Sequence, residues 1–450
     1  MIDVYPFAGY PVALYGLDEA GLFTAKALYA GEAELSAWDN DVDNRTLSEQ
    51  AGITPVDFSD NDLREFTTLV VSAEAWKKDT AAKQLAARAL EQNLEVICDV
   101  ELLARTQREA SFVGIAGSGG KSLTAALVTY IMQVTGREAE MAGVSGSSAL
   151  NTDPLGMEGA YIAEMTSFRL DHTVSITFDV ATLLNLDSED DIENTMQIFH
   201  RQTEPRAAVV NVDDKPSQII FNKLSKAGEQ RVFPFSTTKP VKGGAFVADG
   251  TLYDSFDEGE PVPVMNLSSI QEFAGPHTQS NVAAAFTTVR AIGVEPHQAM
   301  AAINSFPGLV GHREIIEKID GVLYINDAAS SSLACVASSF QGYEKIHWIG
   351  GGETEIVLAN LSVLDSVLDR ISKVYLIGSA GHDLATVLND KLPVTVYDNL
   401  EEATAAARHE ALESGGGVVM YAPGCKSDDT GDIFRNLVED FPGNRDDEEE

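Results

Sequence analysis

Three consecutive blocks of α/β structure are what this sequence predicts, on three observations. Short apolar runs alternate with longer amphipathic stretches along the chain, the pattern of mostly parallel strands covered by helices. The 450 residues suffice for three domains of roughly 150 residues each. The segment Phe112-Val-Gly-Ile-Ala-Gly-Ser-Gly-Gly-Lys-Ser122 passes from a β-branched strand through clustered glycines into a helix, the local form of a phosphate-binding turn.

The first block, residues 1–108, opens with the strand Pro11–Tyr15 and the turn Gly16-Leu-Asp-Glu-Ala-Gly21. A helix through Leu28 and a strand ending at Trp38-Asp39 follow. This is a mononucleotide-binding βαβ layout, with Asp39 where an acid after the second strand holds a ribose or base. The second block, 109–307, begins at the glycine-rich turn and continues through strands near Tyr161–Glu164, Thr182–Leu186 and Ala207–Val212. The third, 308–450, carries the apolar runs Gly321–Asn326, His347–Gly352, Val374–Gly378 and Val418–Ala422. No internal repeat is visible, and the acidic end Arg445–Glu450 reads as frayed.

The glycine-rich turn is the most specific signal. Gly117, Gly119 and Gly120, with Ser118 between them, let backbone N–H groups face an anion, and the following helix Leu123–Met132 adds its positive end. Lys121 can reach a terminal phosphate oxygen, and the Ser122 hydroxyl suits Mg²⁺. The spacing departs from Gly-x4-Gly-Lys-Ser/Thr, because Ile115 stands where the first glycine belongs.

Composition limits the partners. Sixty-nine acids against 31 bases give a net charge of −38, which repels nucleic acid and anionic membranes. No apolar run approaches a membrane span, and Met1-Ile-Asp-Val-Tyr-Pro lacks the form of a secretion signal. Cys98, Cys335 and Cys425 lie far apart with no metal-ligand spacing, so a cytoplasmic location is expected.

Further motifs follow the turn in a fixed order. Glu164-Met-Thr-Ser-Phe168 ends a strand and puts a carboxylate where Mg²⁺ beside phosphates is held. After it come Phe273-Ala-Gly-Pro-His-Thr-Gln-Ser-Asn281 opening a helix at Val282, Phe306-Pro-Gly-Leu-Val-Gly-His-Arg-Glu314, Gly321-Val-Leu-Tyr-Ile-Asn-Asp327 and Tyr421-Ala-Pro-Gly-Cys-Lys-Ser427. Singly, each has an ordinary reading: Glu164 as a strand-end carboxylate, His277 as a helix-start residue, Arg313 as a surface ion-pair partner, Asp327 as a loop cap. Together, over essentially the whole chain, they resemble the Mur ligases, and within them the D-glutamate-adding branch.

That resemblance implies a Rossmann-like N-terminal domain for a UDP-linked precursor, a central P-loop-type ATPase domain with a parallel sheet, and a Rossmann-like C-terminal domain for the amino acid. It implies ATP and Mg²⁺, with phosphorylation of the precursor carboxylate to an acyl phosphate and attack by the amine. Gly117 to Ser122 would hold phosphates and Glu164 the metal. Asn281 would contact the nucleotide, Arg313 its terminal phosphate across a domain interface, and Asp327 its ribose. Asp39, Ser72 and Ser427 would line the substrate sites. A monomer with small-molecule substrates is expected.

Several family positions differ here. The family's Gly-Thr-Asn-Gly-Lys has Gly119 for the asparagine, and the Asp-His-Leu-Asp segment after the strand near Asn185 is replaced by Leu186-Asp-Ser-Glu-Asp-Asp-Ile192, without a histidine. Thr195 stands for a carbamylated lysine, and Ala329 for the lysine of Asn-Asp-Ser-Lys. Gly350-Gly-Gly-Glu-Thr-Glu355 is acidic where the family is basic, and Gly143-Val-Ser-Gly146 replaces Gly-Asn-Ile-Gly. Asp18 and Glu74 put carboxylates into the Gly-Leu-Gly and Ser-Pro-Gly segments beside the pyrophosphate. Like charges at about 5 Å cost on the order of several kcal/mol at an effective dielectric near 20.

Three readings therefore stand. One is a working ligase in which Lys426 or Arg169 replaces the missing groups. Another is a diverged paralogue that binds nucleotide and acts as a regulator or scaffold on a cell-wall-synthesis protein. The third is a ligase with another acceptor and a less anionic donor. The family assignment leads to an expected D-glutamate ligase whose activity on the usual substrates is weak.

Overall fold

The computed structural model describes residues 1–59, 62–144, 146–257, 259–270, 273, 275–309, 311–330, 332–353, 356, 358–425 and 430–441. Ser427 and Lys426 lie outside the described residues. The chain is α/β, with three sheets in which parallel pairing dominates.

The first sheet is parallel throughout, in the order Glu34–Trp38, Pro11–Tyr15, Thr68–Val71, Glu95–Ile97. Its two inner strands, Pro11–Tyr15 and Thr68–Val71, are nearly continuous apolar runs, and Thr68–Val71 is buried at every position.

The second sheet has nine strands. From one edge they run Ala139–Ala142, Ala160–Met165, Ser111–Ala116, Val180–Leu183, Ala207–Asn211, Arg231–Ser236 and Gly244–Ala248, all parallel. Thr251–Ser255 and Val262–Asn266 then add antiparallel. In this register Ile115 is opposite Glu164 on one side and Thr182 on the other, so the glycine-rich turn leaves the sheet between two strands with polar ends.

Local chemistry fixes the helix limits. Lys215–Ala227 shows it well: the Asp214 carboxylate accepts from the Ser217 N–H, Pro216 sits in the first turn, and Gly228 ends the helix at φ 65°. Some boundaries differ from expectation. The strand placed at Thr182–Leu186 is Val180–Leu183, and the helix placed from Val282 begins at Pro276 and runs to Ile292.

The third sheet runs Glu314–Ile319, Val322–Asn326, Gly417–Tyr421, Ile346–Gly351, Ile371–Ile377, Val394–Tyr397. Only its first pair is antiparallel. Apolar clusters cover both faces.

Contacts divide the chain into two compact units, Met1–Leu267 with Thr278–Phe306, and Ser268–His277 with Pro307–Glu450. The first contains the first two sheets, joined by a continuous apolar core. Polar groups reinforce that joint. Arg169 donates Nε to Oδ1 of Asp99 at 3.1 Å and Nη2 to Oδ2 at 2.8 Å. Trp76 lies 4.9 Å from the Phe168 ring and 5.1 Å from that of His172.

Candidate functional site

The strand Ser111–Ala116 is apolar and buried, and it delivers Gly117 at φ 145° and Gly120 at φ 86°, backbone that favours glycine. The helix Lys121–Val134 then starts with no side-chain cap. An uncapped helix start with a lysine in its first turn is suited to an anion. Gly120 also has no room for a side chain, because a Cβ there would lie 2.2 Å from Oδ1 of Asn281. Asn281 is thus brought to the turn from the helix Pro276–Ile292, and it is buried.

The turn is braced from the end of the neighbouring strand. Asn185 accepts from the Gly119 N–H at 2.9 Å and donates to the Gly119 carbonyl at 3.1 Å. Its own carbonyl accepts from the Ser118 N–H at 3.1 Å, and the Asp187 N–H donates to Ser118 Oγ at 3.2 Å. Lys121 Nζ donates to the Gly117 carbonyl at 2.7 Å. Burial lowers the pKa of Lys121, an effect that the Glu164 charge opposes.

Glu164 is 4% exposed, and its Oε1 has no hydrogen-bond partner among the described residues. Burial raises its carboxyl pKa; a hydrogen bond from Ser122 and the charges of Arg169, Lys121 and Lys77 act the other way. A buried carboxylate oxygen without a partner, beside a hydroxyl and an uncapped helix start, fits a divalent cation carried with phosphates. Among the described residues no group of three or more His, Cys, Asp or Glu side chains is placed to hold a metal ion by itself. The ion would be held as Mg²⁺ usually is, by one or two protein oxygens with phosphate and water completing the shell.

Arg169 is no substitute for a missing catalytic lysine. Besides Asp99 it donates Nη1 to the carbonyls of Gly143 and Glu164, and it is 3% exposed. Its donors hold the joint between sheets instead. Thr195, in the helix Ile192–Thr195, is buried.

In the first sheet, Oδ2 of Asp39 accepts from the Leu17 N–H at 2.7 Å and from Asn44 at 3.0 Å, and Oδ1 accepts from the Asp41 N–H at 2.8 Å. Ser72 caps the helix Ala73–Lys78 and donates to Asp18. The charge of Glu74 is offset by Lys77 at 2.7 Å and Lys78 at 3.7 Å, whereas among the described residues no cation pairs with Asp18.

In the second unit, Arg313 has φ 52°, and its N–H donates to Oδ1 of Asp327 at 2.8 Å. Its Nη2 donates to the Gln341 carbonyl at 2.9 Å, its guanidinium lies 5.4 Å from the Tyr343 ring, and its Nε is buried without a partner. Asp327 is 3% exposed, and Ser330 and Ser339 both donate to its Oδ2. Burial raises its carboxyl pKa against these hydrogen bonds. In the structure Asp327 has internal partners that hold the Arg313 backbone. His277, in the same unit, is exposed.

The Mur ligase middle domain matches residues 115–289. The UDP-N-acetylmuramoylalanine–D-glutamate ligase of Rhodospirillum rubrum is 31% identical over 470 residues, covering 99% of this chain and 98% of that protein. The chain belongs to the Mur ligase family. The like-named ligase of Caulobacter sp. strain K31 is 30% identical over 98% of this chain and 97% of its own length. Among solved structures, the UDP-N-acetylmuramate-alanine ligase of Thermotoga maritima superposes with a TM-score of 0.57 at 13% identity, over 96% of this chain and 98% of that one. A murein peptide ligase of Psychrobacter arcticus gives 0.51 at 16% identity, over 96% and 98%. These two show that the fold is that of the Mur ligases.

Two contributors to this Mur ligase's candidate site escaped the sequence reading. Asn185 marked only a strand end, and nothing in chain order shows that this strand lies beside the glycine-rich one. Lys77 belongs to the first sheet's helices, yet its charge acts on both Lys121 and Glu164. Among the described residues, no helix is long and apolar enough to cross a membrane.

Proposed function

We propose that this protein is an ATP- and Mg²⁺-dependent ligase of peptidoglycan synthesis that joins an amino acid, D-glutamate by analogy with the named relatives, to the carboxylate of a UDP-N-acetylmuramoyl precursor. The convergence of Lys121, Ser122 and Glu164 on one uncapped helix start carries this reading. ATP, when bound, supplies the phosphoryl group that turns the carboxylate into an acyl phosphate, and attack by the amine releases phosphate and forms the amide.

The chain's residues have distinct tasks. Backbone from Gly117 to Gly120 wraps the phosphates, and Lys121 exchanges the Gly117 carbonyl for a phosphate oxygen. Ser122 and Glu164 hold the metal, and Asn281 fixes Gly120. Residues 1–108, 109–307 and 308–450 form donor, nucleotide and acceptor domains in a monomeric cytoplasmic enzyme. Thr195 and Ala329, in place of the family lysines, support weak turnover of the usual substrates.

The test is phosphate release from Mg²⁺-ATP with and without UDP-N-acetylmuramoyl-L-alanine plus D-glutamate. Release that requires both substrates and vanishes in Lys121→Ala is the expected result, at a low rate. ATP binding with no release under any condition would replace the ligase with a diverged nucleotide-binding paralogue.

A further inference from the structure

Phosphorylation of a carboxylate by a nucleoside triphosphate brings two anions together, and positive charge that can follow the transferring group lowers the barrier. Arg169 is not such a charge, because Asp99 and the carbonyls of Gly143 and Glu164 hold its guanidinium. Lys121 sits at the turn itself, with Nζ on the Gly117 carbonyl. Lys77 is a further cation whose charge bears on both Lys121 and Glu164, and its side chain is 53% exposed.

Packing fixes where Lys77 stands. Its helix, Ala73–Lys78, follows the first sheet's strand Thr68–Val71 and is capped by Ser72. That helix docks on Ser167–Asp171, the short helix just beyond the strand that ends at Glu164-Met165. The Trp76 ring makes the contact, 4.9 Å from Phe168 and 5.1 Å from His172. Lys77 is the next residue, so the first sheet's helix carries a cation to the Glu164 end of the strand. Its Nζ donates to Oε1 of Glu74 at 2.7 Å, while Lys78 lies 3.7 Å from Oε2 of the same carboxylate. Lys77 can therefore leave without stranding Glu74, and its flexible four-carbon stem suits it to do so.

We infer that Lys77 is a catalytic cation, delivered from the first sheet's helices to the terminal phosphate of the bound nucleotide, which exchanges Glu74 for that phosphate and offsets charge on the phosphoryl group in transit. The inference rests on the ligase reading for the transfer itself. In that step an oxygen of the donor carboxylate forms the new bond to the γ-phosphorus, the bond from phosphorus to the β,γ-bridging oxygen breaks, and ADP leaves with the electron pair. No proton moves, and Lys77 contributes charge alone. Glu74 holds the cation in place until the phosphate arrives.

An ATP analogue whose γ-phosphate carries an acyl group as a mixed anhydride tests the placement in the full chain with Mg²⁺. An amine beside the γ-phosphate takes the acyl group as an amide and ATP leaves, so peptide mass spectrometry reads which lysines are there. Lys78 is the internal control, since it shares Glu74 and is 61% exposed. The expected result is acylation of Lys77 and Lys121 several-fold above Lys78, suppressed by excess ATP. Acylation of Lys121 with Lys77 no higher than Lys78 would overturn the inference alone, and acylation of neither would overturn it together with the nucleotide site. Turnover at saturating Mg²⁺ is the second measurement: Lys77→Met should lower kcat by roughly tenfold or more with the KM for ATP within about twofold, and Lys77→Arg should recover part of the loss. Melting temperatures establish that both variants fold, and an unchanged kcat in folded Lys77→Met would overturn the inference. Acylation of Lys77 in a parent chain that shows no turnover would instead remove the ligase reading and leave Lys77 at the terminal phosphate.

Discussion

Oδ1 of Asn281 stands where a β-carbon on Gly120 would approach to 2.2 Å, so a side chain from the helix Pro276–Ile292 packs against the bend of the glycine-rich turn. Gly120→Ala therefore suffers twice, from this contact and from φ 86°, the latter costing about 1–2 kcal/mol. Loss of Mg²⁺-ATP binding by calorimetry is the expected outcome. Gly119→Ala is the control: nothing lies within 4 Å of its Cβ, and binding should persist.

Burial holds the Glu164 carboxyl above its ordinary value of 4.5. The folded chain consequently keeps this proton at pH values where the unfolded chain has lost it. Stability from this group falls as pH rises from 4.5 to the raised value. Metal binding needs the carboxylate, so Mg²⁺-dependent nucleotide affinity should strengthen through the same window. Glu164→Gln should abolish that pH dependence, weaken Mg²⁺ binding by roughly tenfold or more, and raise the melting temperature of the metal-free chain.

Lys77 lowers the pKa of both Lys121 and Glu164. Lys77→Met should move the midpoint of the Mg²⁺ pH profile upward. Because the Lys77 side chain is 53% exposed, added salt should erase most of the difference between variant and parent.

Arg169 and Asp99 form a buried bidentate pair. Removing one partner leaves the other charged and desolvated, so Arg169→Met should cost about 3–5 kcal/mol in denaturant unfolding. Exchanging both for apolar residues should restore much of this. A single change that leaves stability untouched would show that the joint does not depend on the pair.

Asp327 holds the backbone of Arg313 at φ 52° through a 2.8 Å hydrogen bond. Asp327→Ala leaves that N–H and the Ser330 and Ser339 hydroxyls without their acceptor, a loss of about 1–3 kcal/mol in thermal or chemical unfolding. Asp327→Asn, which can still accept, should cost less.

Much of this was legible in the chain. The Pro11–Tyr15 strand, the glycine turn and the order of motifs through Asp327 follow from period, spacing and residue chemistry, and each element formed close to its expected place. Long-range pairing was not legible. Asn185 reaches Gly119 across 66 positions because neighbouring strands bring them together, and Arg169 reaches Asp99 across 70 because the first two sheets pack against one another. The antiparallel edge Thr251–Asn266 was also missed. Its strands, with Pro263 and a half-exposed face, carry a weaker apolar pattern than the buried parallel ones. Asp39 and Asp327 show what residue type and position do not reveal: their carboxylates accept from the chain's own N–H, amide and hydroxyl groups.

The contact of Trp76 with the Phe168 and His172 rings gives the molecule a native optical probe. The chain has three tryptophans, and the other two sit elsewhere: Trp38 under the Arg45 guanidinium at 4.6 Å, and Trp348 fully buried with its indole N–H on the Ala422 carbonyl at 2.7 Å. With Trp38 and Trp348 replaced by phenylalanine, the emission that remains comes from the seam between the first two sheets. Its wavelength and its quenching would follow that seam through catalysis or unfolding without any attached dye.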